Sequence, residues 1–301
     1  MKRFINVLLA MLIILLLSAC KTKMDNTMLR IGIIKPSIDH LPLTYAIQKG
    51  YLDAAKFKIV YFTSGWEVQE AITANRIDLA IMPFTYAWTA IAKGYKMKII
   101  SCLERETDGV IAGVKYNNIN ELHKKRIGLL RASTLEILMQ DSALRNGIDY
   151  IPIYFRTPSE MIAALQTSDV DAIVSYVPLI QKLSSEYHVL HWFSETYPGH
   201  PCCDLVATEF VTTSHTRELQ TVLTALQKAA SDLTNPSEEV FELISNLYGL
   251  SRQQALEALQ HTRFDVSLTE SDQEFERLMM AAFIKNSYLK SLPANKKVFF
   301  K

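Results

Sequence analysis

The chain echoes itself. Arg30-Ile31-Gly32-Ile33-Ile34 returns as Arg126-Ile127-Gly128-Leu129-Leu130. Ala71-Ile72, four residues, then Ile77-Asp78-Leu79-Ala80-Ile81 returns as Ala164-Leu165, four residues, then Val170-Asp171-Ala172-Ile173-Val174. Each copy reads as a buried strand, an intervening helix, a second helix and another strand, with the Asp turning helix into strand. Such echoes in matching order and spacing predict two similar α/β lobes, and a cleft between two lobes is where a small ligand binds. The expected class is α/β, two lobes of doubly wound sheet joined by a two-strand hinge.

The segment before the first copy sets the compartment. Lys2 and Arg3 precede an apolar run, Phe4 to Leu17, followed by Leu17-Ser18-Ala19-Cys20. The run is shorter than the ~20 residues a spanning helix needs and has the layout of a secretory signal. Leu-Ser-Ala-Cys resembles the bacterial lipobox, whose Cys takes a lipid. Residues 1–19 therefore read as a lipoprotein signal peptide, Cys20 as the lipid acceptor and 20–28 as a polar tether. The expected location is the cell envelope, lipid-anchored outside the cytoplasmic membrane.

After the signal about 280 residues remain, enough for two modest domains. Lys plus Arg number 32 against 31 Asp plus Glu, a net charge of +1 with no basic block, so nucleic acid is not an expected partner. The first part of lobe 1 is expected over 29–116, with strands at Leu29–Ile34, Phe57–Phe62, Leu79–Met82 and Met97–Leu103 between helices at Leu41–Tyr51, Trp66–Asn75 and Tyr86–Gly94. Gly109–Tyr116 is the expected crossing strand. Lobe 2 spans 117–203, and 204–301 returns to lobe 1 as strand Leu205–Thr208 followed only by helices. Arg217–Leu233 carries a helical apolar stripe, Ser251 caps another helix, and Ser271 with Glu274 has capping-box spacing.

The lipoprotein signal, Arg-Ile-Gly-Ile-Ile, Leu41-Pro42-Leu43-Thr44-Tyr45-Ala46…Lys49-Gly50-Tyr51-Leu52, Ala71-Ile72…Asp78-Leu79-Ala80, Pro83…Ala87 and Leu226-Gln227-Lys228-Ala229-Ala230…Asn235-Pro236 together resemble the nitrate/sulfonate/taurine-type solute-binding lipoproteins of ABC importers. The resemblance covers essentially the whole mature chain. It implies a type II periplasmic-binding-protein fold, a monomer, that closes on a small organic or anionic ligand and docks on an ABC permease with its ATPase. It implies no cofactor. The superfamily also holds the thiamine-pyrimidine synthases, so an enzyme is one alternative; a ligand-sensing subunit is another.

Ligands of doubly wound sheets sit beyond the carboxyl ends of strands. Four segments qualify: Lys35–Pro42, with Asp39 and His40; Pro83-Phe84-Thr85-Tyr86; Arg131-Ala132-Ser133-Thr134; and Ser175-Tyr176-Val177-Pro178. Ser133 and Thr134 are expected at a helix start, where free N–H groups attract an anion. Trp66, Phe84 and Tyr176 offer rings to stack on a flat ligand. Many members of the resembling family have Trp, an acidic residue and Pro where this chain has Tyr176-Val177-Pro178, so the ligand does not carry over.

Pro198-Gly199-His200-Pro201-Cys202-Cys203-Asp204 lies at the second crossing. Cys202 and Cys203 are expected to line the cleft. His200 with the two Cys is a metal alternative, but the separated pairs of a closed zinc site are absent. The run also weakly resembles a Cys-rich stretch of the thiamine-pathway synthases. No catalytic residues are expected: there is no Gly-x-Ser-x-Gly elbow or Walker loop, and His188 with His191 lacks the HExxH context.

Overall fold

The computed structural model describes residues 28–183 and 185–300. The signal, the lipobox and Cys20 lie outside the described residues. Among the described residues no helix is long and apolar enough to cross a membrane.

The first lobe is built from β1 (Leu29–Ile34), α1 (Leu41–Gln48), β2 (Phe57–Phe62), α2 (Gly65–Thr73), β3 (Leu79–Pro83), α3 (Phe84–Ala92) and β4 (Met97–Cys102). A two-residue strand, β5 (Glu104–Arg105), leads to the second lobe. That lobe comprises β6 (Asp108–Gly113), β7 (Arg126–Leu130), α4 (Thr134–Asn146), β8 (Ile151–Phe155), α5 (Pro158–Gln166), β9 (Ala172–Tyr176) and β10 (Tyr187–Trp192). The chain then returns as β11 (Cys203–Thr208) and continues as α6 (Glu209–Ser214), α7 (Thr216–Leu233), α8 (Glu238–Tyr248), α9 (Arg252–Gln260), β12 (Arg263–Phe264), α10 (Glu270–Lys285) and α11 (Asn295–Val298).

The two five-stranded sheets share one strand plan. Lobe 1 reads β2-β1-β3-β11-β4 and lobe 2, taken in the same direction, β8-β7-β9-β6-β10. In each the first three strands are parallel and the fourth is antiparallel to both neighbours. The fourth strand is in both cases the one that enters from the other lobe.

The sequence echo has a physical cause. In lobe 1 the Asp78 carboxylate accepts Arg30 N–H (2.8 Å) and Nε (2.9 Å), while Arg30 Nη2 donates to Asn75 O (2.9 Å). In lobe 2 Asp171 accepts Arg126 N–H (3.0 Å) and Nε (3.1 Å), and Arg126 Nη2 donates to Ser168 O (2.9 Å). Asn75 (φ 54°) and Ser168 (φ 62°) both hold the left-handed conformation as helix gives way to strand. One Arg thereby ties the start of a strand to the next helix-to-strand turn, and both repeats need Arg and Asp at that spacing. Gly32 and Gly128 leave room on these strands: a Cβ would meet Ile77 Cδ1 at 2.4 Å in one and Ile173 Cγ2 at 3.0 Å in the other.

Three expectations are corrected. Asp108–Gly113 is not a crossing strand but an interior member of the second sheet, so the first crossing precedes it, at 103–107, and the lobe boundary placed at 116 moves upstream with it. Its alternation-free apolar run is that of a strand buried on both faces. The tail is not purely helical, because β12 pairs with β5. The last long helix is capped by Thr269 with Asp272 as its capping box, not by Ser271 with Glu274. The Ser251 cap is present, with Gln254 as its box partner.

The two crossings run side by side. Leu103 N–H donates to Cys203 O (3.1 Å), Glu106 N–H to His200 O (3.3 Å), and Arg105 bridges to Pro201. The carboxy-terminal segment touches both lobes: α10 packs on α3 and α4, Asn286 Nδ2 donates to Gln140 Oε1 (2.6 Å), and Tyr288 OH to Glu136 Oε1 (2.9 Å). The chain ends against the first sheet, with Phe299 bridging Ile99 and Phe300 N–H donating to Ile99 O (2.9 Å).

Candidate functional site

A cavity of about 380 Å³ lies between the lobes, at the carboxyl ends of β1, β3, β7 and β9. That volume suits a small organic molecule. From lobe 1, Asp39, Trp66 and Pro83 line it; from lobe 2, Ser133, Thr134 and Tyr176; from the second crossing, Cys202 and Cys203. The remaining three expected residues stand outside it. His40 is buried behind the wall, its Nδ1 3.1 Å from Asp39 Oδ1 and its ring edge-on to Tyr248. Phe84 and Thr85 open α3 but turn into the core, where Phe84 meets Phe275 edge-on. The register explains this: Pro83 ends the strand facing the cavity, and the next two residues are carried under it by the first helical turn.

Ser133 and Thr134 act first as helix-start residues. Ser133 Oγ accepts the Glu136 N–H (3.2 Å) and donates to Leu130 O (2.6 Å); Thr134 Oγ1 donates to Cys202 O (3.4 Å). The first turn of α4 carries its own carboxylate. Glu136, fully buried, accepts the Ala132 N–H and the hydroxyls of Tyr154 (2.7 Å) and Tyr288 (2.9 Å). The positive end of this helix, expected to attract an anion, is thus already met by an internal negative group.

The sequence reading missed the floor. Glu104 and Thr107, from the first crossing, and Asp108, which opens β6, line the cavity beside Asp39 and the two thiols. Asp39, Glu104 and Asp108 are at most 1% exposed. Glu104 Oε1 accepts the Cys203 N–H (3.2 Å) and Oε2 the Thr107 hydroxyl (3.0 Å). Asp39 Oδ2 and Asp108 Oδ2 have no hydrogen-bond partner; His200 Nε2 stands 3.5 Å from the latter. Burial, with Asp108 and Asp39 close by, pushes the Glu104 carboxyl well above the ordinary range. Strand alternation sends the adjacent Arg105 the other way, to Asp272 (2.6 Å) and Gly199 O (3.0 Å). The basic lining residues, Lys93, Arg131 and Arg156, are exposed at the rim.

By composition alone Glu104-Arg105-Glu106-Thr107-Asp108 looks like any solvated charge run. Its signal was position: a polar run between two largely buried strands has to lie inside the molecule or at a junction.

Cys102, Cys202 and Cys203 are free thiols, with the Sγ atoms of Cys202 and Cys203 4.0 Å apart. Burial pushes the Cys203 thiol well above its usual range; Cys202 is eased by its Cys203 contact but is also raised, by burial and the nearby Asp108 and Glu104. Among the described residues, the group that could hold a metal is Glu104 with Cys202 and Cys203, their ligand atoms within 4.8 Å of one another. The expected third member, His200, is not part of that group: its Nδ1 is 2.9 Å from Tyr197 O and its Nε2 faces Asp108.

Two lobes of this strand plan with a cavity at their junction define the periplasmic-binding-protein fold, and solved structures bear this out. The ligand-binding component of an ABC-type import system from Staphylococcus aureus, with zinc bound, aligns at 17% identity over 90% of this chain and 96% of its own (TM-score 0.78). The alkanesulfonate-binding protein of Xanthomonas axonopodis pv. citri, bound to MOPS, does so at 20% over 90% and 97% (TM-score 0.78). The nitrate-binding protein of Synechocystis aligns at 13% over 89% and 83% (TM-score 0.73). Within that fold the chain belongs to the NMT1-like family, whose model matches residues 22–245. No curated protein matches.

Proposed function

We propose that this chain is the solute-binding subunit of an ATP-driven importer, tethered outside the cytoplasmic membrane by a lipid on Cys20. It captures a small organic solute between its lobes and hands it to a membrane permease with its ATPase. The observation that carries this reading is the cavity at the junction of two sheets of the same plan, walled by both lobes and both crossings.

Capture works by rotation about the paired crossings, which keep their mutual hydrogen bonds while the lobes separate. Opening would break the direct bonds from Tyr86 OH to Arg131 O (3.0 Å) and from Ile38 N–H to Val177 O (3.3 Å), and would have to shift the carboxy-terminal contacts to lobe 2, among them Gln254 Nε2 to Gln181 O (2.5 Å) and the Trp192–His261 stack. Trp66 and Tyr176 line the cavity and offer rings against which a flat solute can pack. The acidic floor and the self-neutralised α4 make the anionic part of the expected ligand range a poor fit.

The test is a thermal-shift survey of the full chain with organic amines, amides, sulfonates and nitrate, followed by small-angle scattering on any hit. A ligand confined to the folded state stabilises by about 2.7 kcal/mol at a hundredfold excess over its Kd. The bound form should be more compact; a hit with unchanged radius of gyration argues for a rigid pocket instead of a capturing cleft. Labelling with a fatty-acid analogue should mark wild type and not Cys20→Ser.

A further inference from the structure

Resting on the capture reading, we propose that the solute is an organic cation, a flat molecule whose ammonium or amidinium end enters the pit formed by Asp39, Glu104 and Asp108. Three carboxyl groups are buried at one end of the cavity, and no Lys or Arg lining it is buried with them. The nearest buried guanidinium, Arg105, is spent on Asp272 on the far side of the crossing. An acceptor with no partner is costly inside a protein, and here Asp39 Oδ2 has none, while Asp108 Oδ2 has only His200 Nε2 at 3.5 Å; both residues line the cavity. An N–H-rich cation supplies the missing donors and the missing charge together.

The pit is held from its sides: His40 Nδ1 meets Asp39 through Oδ1 and leaves Oδ2 unpaired, His200 Nε2 stands 3.5 Å from Asp108 Oδ2, and Thr107 with the Cys203 N–H fixes Glu104. An oxyanion, by contrast, would face three carboxyl groups and find Glu136 already seated on the α4 helix start. The ring-bearing walls stabilise a cation further, since the face of an indole or phenol carries partial negative charge.

A bare metal ion is the competing cation. Two thiols 4.0 Å apart with Glu104 make a soft corner. That corner occupies one end of a cavity of about 380 Å³ and leaves the walls of Trp66 and Tyr176 with nothing to touch.

A matched set of probes on one ring decides the matter: benzamidine, benzamide and benzenesulfonate, titrated against the full chain. Benzamidinium should bind at least about tenfold tighter than benzamide, with no response to the sulfonate. E104Q combined with D108N should reduce benzamidinium to the level of benzamide; D39N serves the same purpose if that pair fails to fold. Equal binding of the three, preference for the sulfonate, or no response to benzamidinium at about 10 mM overturns the assignment. Preference for the sulfonate would do so while leaving the capture reading intact. A melting shift with Zn²⁺ but with no amidinium, abolished by C202S with C203S, would also overturn it in favour of a metal.

Discussion

Both lobes clamp an Arg on the first strand to the Asp that begins the third, yet they diverge one strand later. After β3 the chain enters the nine-residue helix α3; after β9 it makes only a three-residue turn, Ile180–Lys182. The first lobe is then overlaid by α7 to α10, and of that layer α9 and α10 also reach the second lobe, at Ile180–Lys182 and α4. The frame is therefore set by local ties that recur with the sequence, whereas the cavity is set by what differs: the crossings, the helix starts and the carboxy-terminal cover. A repeated scaffold can hold an unrepeated site.

The comparison breaks most sharply at the clamps. Asp78→Ala should cost about 2–3 kcal/mol, because Arg30 loses bonds from its backbone and its guanidinium at once. Asp171→Ala should cost less, about 1–2 kcal/mol, since its Arg is the more exposed and solvent replaces part of what is lost. Urea midpoints measure both, and a reversed order would mean the two clamps are not equivalent parts. Burial tends to raise both carboxyls, but the arginine bonds outweigh it and hold them below the ordinary aspartate range. Their contribution is present above the unfolded-state pKa and disappears as the pH falls through the lower folded value.

A second asymmetry is titratable. Lobe 1 buries Glu276 of α10 and Asp204 of β11 together beneath Trp88, whose Nε1 donates to Glu276 (2.7 Å). Burial pushes Glu276 up to about 8, against that bond, and Asp204 is also raised by burial and by Glu276. A folded pKa above the unfolded one means stability is full below about pH 4.5 and is lost as the pH rises through about 8. Melting curves across that window should decline for wild type and flatten for E276Q. An unchanged slope would show that the pair is not the source.

The helix starts sharpen the comparison at a smaller scale. Ser133→Ala removes a side-chain cap that α1, begun by His40, does not possess. It should lower stability by about 1 kcal/mol. The same change tests whether Ser133 also touches ligand: a loss of affinity beyond the loss of stability would show that it does. Smallest is Tyr86→Phe, which deletes one cross-cleft bond at a cost of about 0.5–1.5 kcal/mol to the closed form alone. Scattering on the empty protein should shift toward the open form, with the melting temperature nearly fixed.

The frame was legible because its determinants are local. The Arg-to-Asp spacing, the apolar strands and the return strand at Leu205–Thr208 each follow from a short stretch of chain, so the two-lobe plan could be read from the sequence. Eight of the eleven proposed ligand contacts lie on the cavity for the same reason, since strand ends can be located from strands. The floor was not legible. Glu104 and Asp108 are buried by distant chain, Glu104 beside the returning segment almost a hundred residues later and Asp108 beside Tyr176 of β9, and no local pattern announces that. His40, Phe84 and Thr85 show the opposite limit: a loop or helix start can be located, but not which way its side chains turn.

The last residues bear on solubility. β4 is an outer strand of the first sheet, and such a strand is a template for pairing with another chain. Phe299 and Phe300 lie along it, meeting Ile99 with a backbone hydrogen bond where a foreign strand would otherwise attach. The tail is thus a cover slip for an adhesive edge. Loss of residues 295–300 leaves the cavity lining in place yet bares an edge at which copies of the chain can pair.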